Sequence, residues 1–254
     1  MDNSILNSNL KSYDDNATIY GSKDYINSAS HSHIEQPIIR DLMKDLRSKD
    51  VLCLGCGSGE ECKYFSDNGA SVHGIDYSFE LIEIAKKKYP DLSFEVNDIR
   101  EFSQKRKYDY IYSGYVLHYF ENWDKILKIV YKHLKHNGKF IFSISHPIKK
   151  SFTKEKMKKG VECKLGYIIN NHGGTNVEGD YLNPHEVEVI FTEDFKINMY
   201  NRPISLQIAD ILKSPFKLEQ MIEPKPIKAL KFVDEDYYKV SLKIPSILIY
   251  VLKK

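Results

Sequence analysis

The stretch Val51–Glu60 reads VLCLGCGSGE, four apolar residues running straight into a turn with three glycines. A short apolar run stopped by glycine predicts a buried strand, and the chain from Gly59 to Asn68 resumes as a helix. Ser71–Asp76 (SVHGID) predicts a second strand, and Phe79–Lys88 (FELIEIAKKK) a second amphipathic helix. Leu92–Val96, Tyr108–Ser113 and Lys139–Ser145 follow as three more strands. Between the last two, Asp124–Leu134 predicts a helix that stops at Asn137-Gly138, a good C-terminal signal. Parallel neighbours need crossover helices, and those helices cover the faces of the sheet. The expected fold class is α/β, a doubly wound and mostly parallel sheet.

Both flanks of this unit differ from it. Residues 1–30 are polar and predict a loose arm with a short helix, while His33–Leu46 places Ile34, Ile38, Ile39, Leu42, Met43 and Leu46 at helical spacing. After the fifth strand the alternation breaks. Residues 149–200 hold a basic stretch, a Gly-Asn stretch and short β-like runs such as Val187–Phe191. Regularity returns with a helix at Pro203–Leu212, a strand at Phe216–Ile222, a break at Pro224–Pro226 and an apolar last strand at Ile244–Leu252. The expected division is an N-terminal arm or lid over 1–33 and a main domain over 34–254. Within that domain an insertion at about 149–200 covers the sheet.

Composition narrows the classes. A formal net charge of +2 from 37 basic and 35 acidic residues lacks the concentrated basic field of a nucleic-acid binder. No apolar run reaches the roughly 18 residues that cross a bilayer, and the polar N-terminus carries no leader, so a cytoplasmic protein without a membrane partner is expected. Cys53, Cys56 and Cys62 lie close together, but no second pair or His pair completes a tetrahedral site, so no metal is expected.

Glycines at Gly55, Gly57 and Gly59, with Cys56 between the first two, permit a tight turn and close approach of a ligand to the backbone. The place for that ligand is the crevice beyond the carboxyl ends of the strands. Asp76 ends the next strand, where a carboxylate can accept bonds from two ribose hydroxyls. Asp98 follows the third strand, where a carboxylate can take an adenine amine, with Ile99 and Tyr77 sandwiching the ring. A dinucleotide fingerprint needs GxGxxG, whereas this chain has GxGxG with Glu60 in the position of the last glycine.

In VLCLGCGSGE, GIDYS and NDI the chain resembles the class I S-adenosylmethionine-dependent methyltransferases, in their small-molecule branch. LHYFENWDKIL, LKHNGKFIFSISHPI and NRPISLQIADILKSPFKLEQMIEPKP resemble later stretches of the same branch, so the resemblance covers about residues 13–252. It implies a Rossmann-like, seven-stranded sheet with the last strand antiparallel, and S-adenosyl-L-methionine as cofactor. One departure stands out. The family usually has Asp or Glu where this chain has Cys53, an acid that helps hold the amino group of the methionine moiety. A buried Cys supplies no charge. The resemblance leaves main-chain carbonyls near Gly55 or Ser113 for that end, and Tyr20 for the carboxylate.

The acceptor side is less legible. Candidate bases are His146 after the fifth strand and His118 after the fourth, with His172 and His185 in the insertion. Tyr25 and Tyr115, in a tyrosine set with Tyr13, Tyr20 and Tyr119, are candidates to line the substrate pocket. Arg202, before a helix, could pair with an anionic substrate group. After the fourth strand SGYV carries neither an Asn/Asp-Pro-Pro-aromatic motif nor acidic metal ligands, and no Pro-Cys nucleophile occurs. The expected reaction is methyl transfer to an O, N or S nucleophile of a small molecule, by in-line displacement without metal, in a monomer or homodimer. A tRNA or other nucleic-acid methyltransferase, supported by the basic stretch at Lys149–Lys159, and a non-catalytic cofactor-binding protein remain alternatives. An NAD-dependent dehydrogenase is the further rival that the glycine spacing opposes.

Overall fold

Alternate residues of Val51–Leu54 point to opposite faces, and every one of them is buried, so the strand they form lies inside a sheet covered on both sides. The computed structural model of the chain describes residues 4–22, 29–157, 160–169 and 173–254. The first five strands are β1 (Asp50–Leu54), β2 (Ser71–Asp76), β3 (Ser93–Val96), β4 (Tyr108–Gly114) and β5 (Leu134–Ser145). Three hairpins follow: β6 (Thr153–Met157) with β7 (Gly160–Lys164), β8 (Gly166–Ile169) with β9 (Thr175–Glu178), and β10 (His185–Ile190) with β11 (Lys196–Asn201). The chain closes with β12 (Lys217–Ile222) and β13 (Ile247–Lys253).

The central sheet has seven strands in the order β12-β13-β5-β4-β1-β2-β3. β13 runs antiparallel to both β5 and β12, and the other six strands share one direction. This is the expected Rossmann-like sheet with its last strand reversed. The strand order turns back between β1 and β4, so a switch point opens at their carboxyl ends, where α/β sheets bind ligands.

Two apolar layers flank the sheet. Leu52, Leu54, Phe140, Phe142 and Tyr250 face one layer, under the helices Asp124–His133 and Ile204–Lys213. Val51, Cys53, Ile141, Ile249 and Val251 face the other, under the helices Gln36–Leu42, Glu60–Asp67 and Phe79–Lys88. The period-2 alternation along each strand divides its side chains between the two layers.

Several boundaries move from the sequence-based expectation for visible reasons. β5 starts at Leu134 rather than Lys139, because Asn137 takes a left-handed φ of 62° and the β4 pairing shifts register there. The helix expected over His33–Leu46 opens as a π turn, His31–Glu35, and ends at Leu42. β13 starts three residues later than expected, because Ile244 N–H closes on Val240 O at the end of the preceding helix. That helix, Glu235–Ser241, is capped by Asp234, which accepts from Tyr237 N at 2.8 Å. The arm is not loose: Ser4–Asp15 is a 12-residue helix docked on β11. Asn9 there pairs with Asn198 like an added strand residue, its Nδ2 donating to Asn198 O at 2.7 Å and its Oδ1 accepting from Asn198 N at 2.8 Å.

Candidate cofactor and acceptor site

The turn after β1 holds three glycines at positive φ, with Gly55 at 69°, Gly57 at 53° and Gly59 at 90°. A Cβ on Gly55 would stand 2.3 Å from Val116 Cγ2, and one on Gly59 would stand 2.8 Å from Phe94 Cζ. These two positions need glycine on conformational and on steric grounds. A Cβ on Gly57 would meet the Tyr20 ring at 3.4 Å, so the edge of the turn is bare toward the cavity. Asp76, at the end of β2, locks the turn: its Oδ2 accepts from Gly57 N at 2.8 Å and its Oδ1 from Ser78 N at 2.9 Å. Burial pushes the Asp76 carboxyl up, although the Ser78, Gly57 and Tyr77 N–H groups pull the other way.

Two cavities meet at this turn, of about 310 Å3 and 110 Å3, both walled by Gly55, Gly57, Tyr20 and Tyr115. The smaller one gathers Asp76, Tyr77, Asp98 and Ile99, the four residues read from the sequence as an adenosine pocket. Asp98 is engaged there: Arg100 Nε donates to its Oδ2 at 2.9 Å, and Arg100 N to its Oδ1 at 2.8 Å. No helix follows Asp98, so it is not a helix cap.

The larger cavity runs from Gly55, Cys56 and Gly57 to Tyr115, His118 and Tyr119. Tyr115 takes a left-handed φ of 57° as β4 ends, and its N–H donates to Ser143 O at 3.0 Å. Tyr13 Oη lies 2.5 Å from Tyr119 Oη, which ties the arm to the turn after β4. The far wall is apolar and comes from the β10–β11 hairpin, through Val189, Phe191, Ile197 and Met199.

Five expected residues stand elsewhere or act otherwise. Ser113 does not line either cavity, because its buried hydroxyl donates to Leu54 O at 3.0 Å. Arg202 does not face substrate. Its Nη2 donates to Asp210 Oδ2 at 2.7 Å, and its guanidinium stacks over the Trp123 ring at 5.2 Å. His146 lines neither cavity; its Nδ1 accepts from Ile148 N at 3.2 Å as a helix cap, and its Nε2 faces Glu223 Oε1 at 2.9 Å. His118 does line the larger cavity, yet its Nδ1 accepts from Ser145 N at 3.3 Å. The neutral ring then carries its proton on Nε2 and is a donor, and burial, helped by Lys150, pushes it down to about 3. In that tautomer Nε2 is a donor, which does not suit the base role expected from its sequence position. His185 is on β10 with Nδ1 at 2.8 Å from Asn183 O, outside both cavities. Tyr25 and His172 lie outside the described residues.

The sequence analysis missed a His–carboxylate group at the Cys53 end of the larger cavity. His31 Nδ1 lies 2.6 Å from Glu35 Oε2, and His31 Nε2 lies 2.9 Å from Glu61 Oε1. The i, i+4 spacing of His31 and Glu35 was the available signal, but Glu61 reaches them only through the fold. Burial alone would lower His31; the charge of Glu35, with Glu61 behind it, outweighs that and holds the ring protonated well above the ordinary value. A raised His contributes stability that is complete below the unfolded pKa of about 6.5 and is lost as pH rises through the folded value. Urea midpoints of wild type and His31→Gln should therefore differ most below pH 6.5 and converge in alkaline solution. A difference that grows with pH would refute the protonated ring.

Among the described residues, no group of three or more His, Cys, Asp or Glu side chains is placed to hold a metal ion. Cys53, Cys56 and Cys62 are buried free thiols.

A doubly wound sheet with a reversed last strand, a glycine turn locked by a strand-end acid and a recess beside that acid at the carboxyl ends of the strands define a nucleotide-cofactor enzyme. The family described as "Methyltransferase domain" matches residues 31–164, more than half of the chain, and the chain belongs to it. It is 30% identical to a Listeria monocytogenes protein assigned as an S-adenosylmethionine-dependent methyltransferase, with a TM-score of 0.67 over 87% of this chain and 96% of that one. It is also 27% identical to an uncharacterized Haemophilus influenzae protein over 75% of this chain and 76% of that protein. A malonyl-[acyl-carrier protein] O-methyltransferase of Priestia megaterium is 32% identical over 54% of this chain and 48% of its own length. The protein is an S-adenosylmethionine-dependent methyltransferase of class I fold. Among the described residues, no helix is long and apolar enough to cross a membrane.

Proposed function

We propose that this enzyme methylates an oxygen, nitrogen or sulfur of a small molecule by in-line displacement, with no metal step. The observation that carries this is the larger cavity. Its roughly 310 Å3 sits at the small end of ligand sites, and its far wall is the apolar face of the β10–β11 hairpin. The similarity to an O-methyltransferase favours oxygen as the acceptor atom.

Bound at the glycine turn, the cofactor supplies an electrophilic methyl carbon on a sulfonium. Attack of the acceptor atom on that carbon would displace the sulfide with the bonding pair, and a proton carried by the acceptor would leave to solvent. The protein's share is alignment and exclusion of water. Asp76 takes the ribose hydroxyls, Asp98 the adenine amine, and Tyr77 and Ile99 flank the ring. The hairpin side chains Val189, Phe191, Ile197 and Met199 hold the apolar body of the acceptor. His118 orients it by donating from Nε2. Within the expected arm and insertion, the helix Ser4–Asp15 and the β10–β11 hairpin wall the site, and the Asn9–Asn198 pairing ties the two together.

A panel of small acids, phenols, amines and thiols incubated with methyl-labelled S-adenosylmethionine tests the acceptor class. The expected result is label in at least one of them with release of S-adenosylhomocysteine. Label in RNA or protein but in no small acceptor overturns it. With an acceptor in hand, His118→Ala should lower kcat about tenfold or more while the Kd for S-adenosylhomocysteine stays within twofold. The wild-type profile of kcat against pH should show no histidine step between pH 5 and 9. A step near pH 6.5 that vanishes in His118→Gln would restore His118 as the base.

A further inference from the structure

The cofactor's methionine end carries an ammonium, and an ammonium leaving water needs a negative partner. Both thiols at that end of the cavity are neutral, because burial pushes Cys53 and Cys56 up. The carboxylates that line this end are Glu60, already bonded by Ser58 Oγ and Lys88 Nζ, and Glu61, which belongs to the network around His31. Glu35 is fully buried and fully used: its Oε2 faces His31 Nδ1 at 2.6 Å, and its Oε1 accepts from Tyr112 Oη at 3.0 Å and from Ser143 Oγ. His31 Nε2 faces Glu61 Oε1 at 2.9 Å, and Gln36 Nε2 donates to the same oxygen at 3.0 Å. The two side-chain bonds to Glu61 both use Oε1, and the Glu61 backbone N–H also donates to the carboxylate, whose two oxygens accept about four bonds and so have room for one more donor. Two carboxylates around one imidazolium leave the network one negative charge. His31 and Glu61 line the cavity beside Cys53 and the Gly55–Ser58 turn, and Glu35 does not.

We propose that Glu61, positioned by His31 and Gln36, receives the ammonium of the cofactor's methionine moiety, and that this network does the work a charged residue at position 53 would do. The proposal rests on the cofactor placement given above. Glu35 and His31 are positioning residues: Glu35 is pinned to β4 and β5 through Tyr112 and Ser143, and it fixes the ring that fixes Glu61. The Glu61 carboxyl is ready for this role. Burial opposes its charge, but the His31 hydrogen bond and charge keep it below the ordinary glutamate value.

Three ligands separate the terms in calorimetry on the full chain: S-adenosylhomocysteine, its analogue lacking the amino group, and 5′-methylthioadenosine, which lacks the whole amino-acid end. Wild type should bind S-adenosylhomocysteine at least tenfold more tightly than the deaminated analogue. Glu61→Gln should lose about tenfold in affinity for S-adenosylhomocysteine, lose the discrimination, and bind 5′-methylthioadenosine within twofold of wild type. An unchanged Kd for S-adenosylhomocysteine in Glu61→Gln overturns the proposal. So does an equal loss for 5′-methylthioadenosine, which would mean that Glu61 only shapes the turn. If Glu61→Gln does not fold, wild type alone decides: equal binding of S-adenosylhomocysteine and its deaminated analogue overturns it. Failure of wild type to bind either S-adenosylhomocysteine or 5′-methylthioadenosine would instead sink the cofactor placement.

Discussion

Asp76→Ala weakens binding of S-adenosylhomocysteine about 100-fold, or about 2.7 kcal/mol, the largest cofactor effect expected of any single side chain here. Two losses add. The ribose hydroxyls lose an ionised acceptor, and bonds to charged groups are worth about 1.5–3 kcal/mol each. Gly57 N and Ser78 N also lose their partner, so the turn that carries three positive-φ glycines loses its lock. Asp76→Asn keeps one acceptor oxygen and should lose about tenfold. The raised Asp76 carboxyl adds a pH signature, since its protonated form is a poor acceptor. Affinity should fall as pH is lowered, and earlier than an ordinary aspartate near 3.9 would cause. Calorimetric titrations across pH 4.5–8 check both points. An unchanged Kd in Asp76→Ala would remove the ribose role and with it the adenosine recess.

Trp123→Ala carries the largest expected loss of stability. The indole is 1% exposed and packs edge-on against Phe142 at 5.3 Å and Tyr250 at 6.1 Å, with the Arg202 guanidinium over its other side. Removing a buried Trp costs about 3–5 kcal/mol through the cavity it leaves. Arg202 also loses its aromatic face, and Leu117 O loses the bond from Trp123 Nε1 at 2.9 Å. For a chain of this size the loss lowers Tm by roughly 10 °C. Because Leu117 begins the single turn that carries His118 and Tyr119, the variant should also weaken acceptor binding more than cofactor binding. Trp123→Phe keeps most of the packing and should recover over half of the stability. A Tm within 2 °C of wild type for Trp123→Ala would show that this layer relaxes around the gap, contrary to its close packing.

The elements that were legible from sequence are those whose cause is local. Ser71–Asp76 and Phe79–Lys88 occupy the expected positions to the residue: the strand is a short buried run bounded by turn residues, and the helix carries apolar residues at period 3.6. The glycine turn was legible because positive φ restricts the residue type. The helices Leu230–Val233 and Glu235–Ser241 were not, because each is too short to show a period, and one depends on the Asp234 cap. His146, His118 and Arg202 all had the right chemistry in plausible positions along the chain. The position of a side chain along a strand end says which end of the sheet it occupies, but not what it hydrogen-bonds. Nδ1 of both histidines turned out to be spent on backbone N–H groups, and Arg202 on Asp210.

By itself the sequence determined a doubly wound sheet, the cofactor class, and the two acids and three glycines that mark the adenosine end, because turn sterics and strand periodicity are written in neighbouring residues. Only the tertiary structure decided which side chains wall the larger cavity and which carboxylates stand near Cys53. His31, Glu35 and Glu61 lie on either side of β1 in the chain and become one charged network only when the helices before and after that strand pack together against the sheet.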